Sequence, residues 1–267
     1  MKSLIYNEFC MCFNRKNLKI LLIVLGYIFL EVYSLYSINS IENMHAIDTD
    51  GVLRVCSGIN ESFSILNIMK WSFLVVILIC ICSNNIMIVS GFDIMLLTRV
   101  SSKGKWWICR IISLIIINLF YALFVLLTSK LLFFIVFKSG NRWSDYTNIY
   151  YKNIFNSNIS PIKLEIIMFF ILLTGLMCLT TLFQTVSIIF NNNLKVYVML
   201  IIISLGLFIL CEQGTIPRVM SPFTYPSIDN ITFHNYGYIK SLLSNLILTV
   251  INVLVSLFIV INKDFKN

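Results

Sequence analysis

The sequence predicts an all-α, polytopic membrane protein, and three observations carry that reading. Hydrophobic residues make up 58% of the 267-residue chain, with a mean hydropathy of +0.89. Charged residues supply only 12%, about half of what a water-facing globular surface carries. The apolar residues gather into runs long enough to cross a bilayer core of about 30 Å, which takes about 20 residues of helix. A soluble enzyme, a disordered tail and a free nucleic-acid binder are excluded by this composition.

Six runs qualify as spans within a single domain covering residues 1–267: about 20–38, 71–90, 108–130, 166–188, 194–211 and 242–261. The first follows Asn14, Arg15, Lys16 and Lys19 directly, and no small-residue cleavage site comes after it, so it is expected to remain as a helix rather than be removed. Ahead of it, Ile5, Phe9, Cys12 and Phe13 recur at helical spacing, with Asn7, Glu8, Asn14 and Arg15 on the other side. Residues 1–17 are therefore expected to form an interfacial helix lying flat in the headgroup layer, the alternative being a flexible tail.

An even number of spans puts both termini on one side, and charge assigns the side. The segments that would share a face with the termini hold Lys2, Arg15, Lys16, Lys19, Arg99, Lys103, Lys105, Arg110, Lys195, Lys263 and Lys266 against Glu8, Asp93 and Asp264. That set accounts for the whole net charge of +8, and the opposite set is neutral. By the excess of Lys and Arg on cytoplasmic loops, both termini are expected in the cytoplasm. Trp71 and the pair Trp106–Trp107 fall at predicted span ends, where indoles favour the headgroup layer, while Trp143, Tyr146, Tyr150 and Tyr151 fall in an outer loop and on the outer leaflet.

The outer loops cover about residues 39–70, 131–165 and 212–241. The last holds Pro217, Pro222 and Pro226, which forbid one continuous helix and favour short re-entrant or interfacial pieces. The eight cysteines mostly sit in apolar runs, Cys56 alone lying in a loop; Cys10/Cys12 and Cys80/Cys82 have no histidine nearby, so neither a metal site nor a disulfide framework is expected. There is no GxxxxGK[ST] loop, no HExxH and no GxSxG, and the two histidines, His45 and His234, are in polar loops.

Few polar groups fall inside the spans. Glu31 lies about 17 Å along the first span from Ile20, past mid-bilayer, where an ionised carboxylate is costly. It either lines a translocation path or pairs with a basic residue, or else the helix tilts and carries it to the outer interface. Lys130 is expected to snorkel at that interface. Asn84, Asn85 and Gln184 are further path candidates, although amides at such positions serve more often as hydrogen bonds between helices.

Between the second and third spans, Gly91 to Trp107 mixes apolar and charged residues at helical spacing. It reads as an amphipathic cytoplasmic piece suited to a partner's groove, with Asp93 matching the start of a short helix.

This layout resembles the ABC transporter type-2 permeases. The resemblance rests on the six spans, the interfacial helix, the cytoplasmic termini and the second inner segment. There Asp93, Leu96, Leu97, Val100, Ser101, Gly104 and Lys105 match the family's pattern, Arg99 stands where Pro is common and Ser102 where Arg is common. Ser221-Pro222-Phe223 and Lys263-Asp264 also look like the family. The resemblance implies that Asp93, Ile94, Leu96, Leu97, Arg99 and Ser101 belong to a coupling helix seated on a separate ABC ATPase subunit. It further implies a dimer with an identical or different second permease in a bacterial cytoplasmic membrane, and ATP bound by the partner, with no cofactor on this chain. Short outer loops then suggest export of an amphiphilic substrate, such as a bacteriocin-like peptide antibiotic in self-immunity or a lipid-like drug. Two rivals stay open: an ATP-independent membrane adaptor or immunity protein, and a membrane transferase, for which Asp93 and Asp264 alone could supply inner-face acids.

Overall fold

A computed structural model describes residues 15–42, 45–56, 65–82, 102–137, 139–140, 142–152, 154, 159–190, 194–217, 220–227 and 237–262. The protein is all-helical, with no β-strand among the described residues. In chain order the helices are α1 (Arg15–Glu42), α2 (Asp48–Cys56), α3 (Ile65–Cys82), α4 (Lys103–Val136), α5 (Asp145–Tyr150), α6 (Pro161–Ile189), α7 (Leu194–Glu212) and α8 (Gly237–Asn262), with a 3₁₀ turn at Pro222–Thr224 before α8.

Each of the six predicted apolar runs falls on one of these helices. Four, α1, α4, α6 and α8, are long and apolar enough to cross a membrane; α3 and α7 are shorter apolar helices. The chain is thus a multi-pass membrane protein by the length and composition of its helices. Residues 83–90, the predicted end of the second run, lie outside the described residues, as do residues 1–14 of the expected interfacial helix. Arg15, Lys16 and Asn17 begin α1 itself.

The helices start where local chemistry directs. The Ser102 hydroxyl caps α4 by accepting the Lys105 N–H at 3.2 Å. Pro161 opens α6, where its missing N–H costs nothing. At 34 residues α4 is about 51 Å long, well beyond a bilayer core.

Burial places α4 and α6 at the centre. Helix α4 buries Leu114, Ile117, Tyr121, Ala122 and Val125 at helical spacing, and α6 buries Leu164, Met168, Ile171, Leu172, Leu176, Leu179 and Phe183. Helix α8 shows the reverse of a soluble pattern. Its buried face is Asn245, Thr249, Ser256 and Val260, whereas Leu243, Ile247, Val250, Leu254 and Phe258 are exposed. Apolar surface turned outward over 26 residues matches a hydrocarbon solvent, and the inward polar groups hold the helix to its neighbour. The Thr185 hydroxyl on α6 donates to the Asn252 carbonyl at 3.2 Å. Asn118 Nδ2 donates to Thr180 Oγ1 at 2.9 Å, joining α4 to α6, and the Tyr121 hydroxyl donates to the Leu74 carbonyl at 2.8 Å, joining α4 to α3.

The proline-rich third outer loop folds inward. Residues 220–227 carry the 3₁₀ turn at Pro222–Thr224, and Ser221, Pro222 and Phe223 are buried. Trp71 Nε1 donates to the Phe223 carbonyl at 2.8 Å, and Asn245 Nδ2 to the Tyr225 carbonyl at 2.9 Å. Gly175 admits the turn: a Cβ there would stand 2.3 Å from Pro226 Cα. Side chains from α3 and α8 thus satisfy carbonyls that a non-helical backbone leaves open.

Two expectations about aromatics are corrected. Trp71, Trp106 and Trp107 are not turned to a headgroup layer but are buried at 2%, 1% and 1% exposure. Trp71 is drawn inward by the Phe223 carbonyl, and the Trp106–Trp107 pair packs with Ile188 and Val260 in a second apolar cluster, where the Arg110 guanidinium lies 4.6 Å from the Trp106 ring centre. In the outer loop, Tyr146 and Tyr151 are likewise buried among protein rather than spread on a surface, and only Tyr150 of the three is partly open.

Candidate functional site

Helix α2 lies within the stretch 39–70 that the sequence predicts as a loop. Its nine residues, Asp-Thr-Asp-Gly-Val-Leu-Arg-Val-Cys, put Asp48 and Asp50 in the first turn and Arg54 in the last. That arrangement complements the helix dipole at both ends. All of α2 except Arg54 is buried. It seats against the C-terminal halves of α1 and α4 and the N-terminal half of α6, where Gly51 lets the Phe133 ring approach so closely that a Cβ would overlap it at 2.1 Å.

Charge then fixes the seat. Glu31 on α1, with a side chain only 4% exposed, accepts from Arg54 Nε at 2.7 Å and from Lys70 Nζ of α3 at 2.6 Å. The same guanidinium donates to Ser34 Oγ at 2.7 Å and to the Tyr146 hydroxyl at 3.1 Å. At the other end of α2, Lys130 of α4 pairs with Asp48 at 2.8 Å and with Glu165 of α6 at 2.5 Å, and the Thr49 hydroxyl donates to that Glu165 at 2.7 Å. Asp50 is held by neutral donors instead. Its carboxylate accepts from the Ile47 N–H at 2.7 Å, from Ser144 Oγ at 2.5 Å and from the Thr147 hydroxyl.

Burial raises the Asp50 pKa above its usual value, outweighing the three donors that stabilise the anion. Burial works to lower that of Arg54, but the Tyr146 oxygen and the Glu31 carboxylate more than reverse it. Cys56 ends α2 and is corrected from an open loop thiol to a buried one, 1% exposed. Burial pushes it up to about 12, so it stays an inert thiol at neutral pH. Beneath it lies a small apolar cleft lined by Cys56, Trp71, Leu74, Val75, Tyr121, Val125, Leu172 and Leu176.

The sequence-derived candidates are not brought together. Glu31 lies about 16 Å inward of the outer end of α1, and Gln184 about 34 Å inward of the outer end of α6, in the opposite half. Of the readings of Glu31, the structure shows pairing with basic residues. Lys130 is not a free snorkelling cation: its side chain is 34% exposed yet tied to two carboxylates. Gln184 is 1% exposed, and its side-chain amide makes no hydrogen bond among the described residues, so it does not join two helices as expected. That role falls to Asn118, which reaches Thr180, and to Asn252, whose amide donates to the Cys178 carbonyl of α6 at 3.5 Å. Asn84 and Asn85, and the coupling candidates Asp93, Ile94, Leu96, Leu97, Arg99 and Ser101, lie outside the described residues.

Arg54, Lys70, Asp48, Asp50 and Glu165 are the site residues that sequence reasoning missed. A signal for α2 existed: acids, then Val52, Leu53, Val55 and Cys56 around an arginine, is the pattern of a short dipole-matched helix. No signal paired it with four other helices. No group of three or more His, Cys, Asp or Glu side chains is placed to hold a metal ion among the described residues. The arrangement holds and orients helices by charge. The chain matches no family model, no curated protein and no solved structure.

Proposed function

We propose that the chain is the membrane-spanning permease subunit of an ABC exporter. It would move an amphiphilic substrate, a peptide antibiotic or a lipid-like drug, with ATP hydrolysed by a separate subunit. The observation that carries this reading is the placement of the coupling-like segment. Asp93, Leu96, Leu97, Val100 and Ser101 stand between the second and third apolar helices, α3 and α4, and Gly104 and Lys105 fall in the first turn of α4, in the segment set that holds the chain's whole net positive charge. Such a segment offers apolar anchors to a groove on a cytoplasmic partner, with Asp93 and Arg99 at its rim. A second permease copy, identical or different, would complete the transport path, and both termini would lie in the cytoplasm of a bacterial cell.

One observation favours the rival reading of an ATP-independent adaptor or immunity protein. Glu31 is saturated by two cations and is not turned toward an open path. Leu97→Asp separates the two. It places a charge in a desolvated contact while leaving every described helix intact. Under the permease reading, tagged chain from native membranes should copurify with an ATPase bearing a phosphate-binding loop. Leu97→Asp should lose that subunit and its substrate-linked ATP hydrolysis, while Leu97→Met keeps both. Retention of the ATPase with full activity by Leu97→Asp removes the coupling assignment, and absence of any such subunit from the wild-type preparation favours the adaptor.

A further inference from the structure

A nine-residue helix is about 13.5 Å long and is not stable alone in water. Helix α2 therefore exists as a helix because of what holds it, and the holding contacts share an unusual feature. Each of the two span-borne ions that grip α2 is doubly paired. Glu31 holds Arg54 of α2 but also Lys70 of α3. Lys130 holds Asp48 of α2 but also Glu165 of α6.

The consequence follows from where each charge goes if α2 lifts away. Asp48 and Arg54 travel with α2 into water, where both are well solvated. Glu31 is left with Lys70 at 2.6 Å, and Lys130 with Glu165 at 2.5 Å. Neither is orphaned in a low-dielectric site, which is the costly outcome when one member of a lone buried pair is removed. The other bonds lost run from Asp50 to Ser144 and Thr147, from Arg54 to Ser34 and Tyr146, and from Thr49 to Glu165; what they leave behind in the bundle are neutral hydroxyls and a Glu165 carboxylate still held by Lys130. What α2 uncovers is the apolar cleft beneath Cys56, bounded by Trp71, Leu74, Tyr121, Val125 and Leu176.

We propose that α2 is a displaceable ionic plug over this cleft, with Lys70 and Glu165 as reserve partners that keep the spanning helices charge-paired when the plug leaves. The inference rests on the pairing geometry alone and stands apart from the identity of any cargo. It also makes an unusual demand. Removing a partner on the plug should loosen it, but removing a reserve partner should tighten it, because release would then leave an unpaired charge behind. A purely structural cluster would be loosened by both changes.

Cys56 supplies the readout, since its thiol is 1% exposed with α2 seated and comes free with the plug. The full chain, keeping Cys56 as its sole thiol, is placed in lipid nanodiscs and reacted with a polar maleimide. Arg54→Met and Asp48→Asn should each raise the labelling rate about tenfold or more, a factor worth about 1.4 kcal/mol in the seating equilibrium. Lys70→Met and Glu165→Gln should each lower it by a similar factor. The isosteric Asp48→Asn and Glu165→Gln provide the comparison should either methionine variant fail to elute as a monodisperse particle. If the reserve-partner variants label faster than wild type, or the plug-side variants label no faster, α2 is a fixed part of the bundle and the proposal is overturned.

Discussion

Gly175→Ala tests how the third outer loop is packed into the bundle. Gly175 sits about 21 Å along α6 from Pro161, and the backbone of residues 225–226 crosses directly over it. A Cβ at this position would lie 2.3 Å from both Pro226 N and Pro226 Cα and 2.4 Å from Tyr225 C. Ordinary carbon contacts begin near 3.5 Å, so the turn must retreat by about 1.2 Å. The obstacle is backbone, not a side chain that could swing aside, and proline stiffens it further. A retreat of that size stretches the 2.8 Å bond from Trp71 to the Phe223 carbonyl and the 2.9 Å bond from Asn245 to the Tyr225 carbonyl past hydrogen-bonding range. Two such bonds inside a membrane protein are worth about 0.6 kcal/mol each on average. Overpacking adds about 1–3 kcal/mol, and the better helix propensity of alanine returns about 1 kcal/mol. The net expectation is a loss of about 2 kcal/mol. Gly206→Ala on α7 is the matched control, because nothing lies within 4 Å of its Cβ, and it should gain up to about 1 kcal/mol from propensity alone. Unfolding titrations in mixed detergent micelles measure both. A Gly175→Ala variant as stable as wild type would refute the packing argument, since no rearrangement of side chains can make that space.

Two further expectations are narrower. Thr180→Val removes the acceptor of the Asn118 amide while keeping the shape, and should cost about 0.6–1.7 kcal/mol; a double-mutant cycle with Asn118→Leu should recover a coupling of that size, and a coupling near zero would show that the bond does not hold α4 to α6. Asp50→Asn concerns pH: because burial raises the folded-state pKa of Asp50 above 3.8, the protonated acid is the form the fold prefers. Its stabilising contribution is complete below about 3.8 and is lost as pH rises through the raised value. The melting temperature of wild type relative to Asp50→Asn should therefore fall with rising pH across that window, and a relative rise would reverse the assignment.

How much of this was legible follows from what hydropathy encodes. The helices were readable because a run of about 20 apolar residues has few alternatives in a bilayer. The inward turn at Pro222 was readable as a break in helix, but its seat at Gly175 was not, since a glycine inside a helix does not announce what approaches it. The indole rule failed at Trp71 for a physical reason. A headgroup layer offers an indole N–H a partner, but so does an open carbonyl inside the protein, and Trp71 found one at Phe223. Glu31 was recognised as costly, yet its partners Arg54 and Lys70 lie 23 and 39 positions later in segments that look like loop and span end. Pairing across such separations is a property of the packed bundle and leaves no local periodicity.

The charge count survives this revision, and the reason bears on topology. Glu31, Asp48 and Glu165 are matched by Arg54, Lys70 and Lys130, three acids against three bases, all belonging to the set of segments opposite the termini. These ions were counted as if they faced water, and they face each other. Removing equal numbers of each sign leaves that set as neutral as before, so the whole excess of +8 still belongs to the other set. The asymmetry that favours cytoplasmic termini therefore does not depend on where α2 sits. An internally neutral set of ions also explains how an outer layer rich in charged residues can pack against apolar helices. Each of these three carboxylates enters the bundle with a cation, and the cations remain the more exposed partners, at 17%, 29% and 34% for Arg54, Lys70 and Lys130 against 4%, 1% and 24% for Glu31, Asp48 and Glu165. The long cationic side chains reach inward from the rim while the short carboxylates are fixed in the wall, the geometry in which a flexible stem brings its charge to a buried partner.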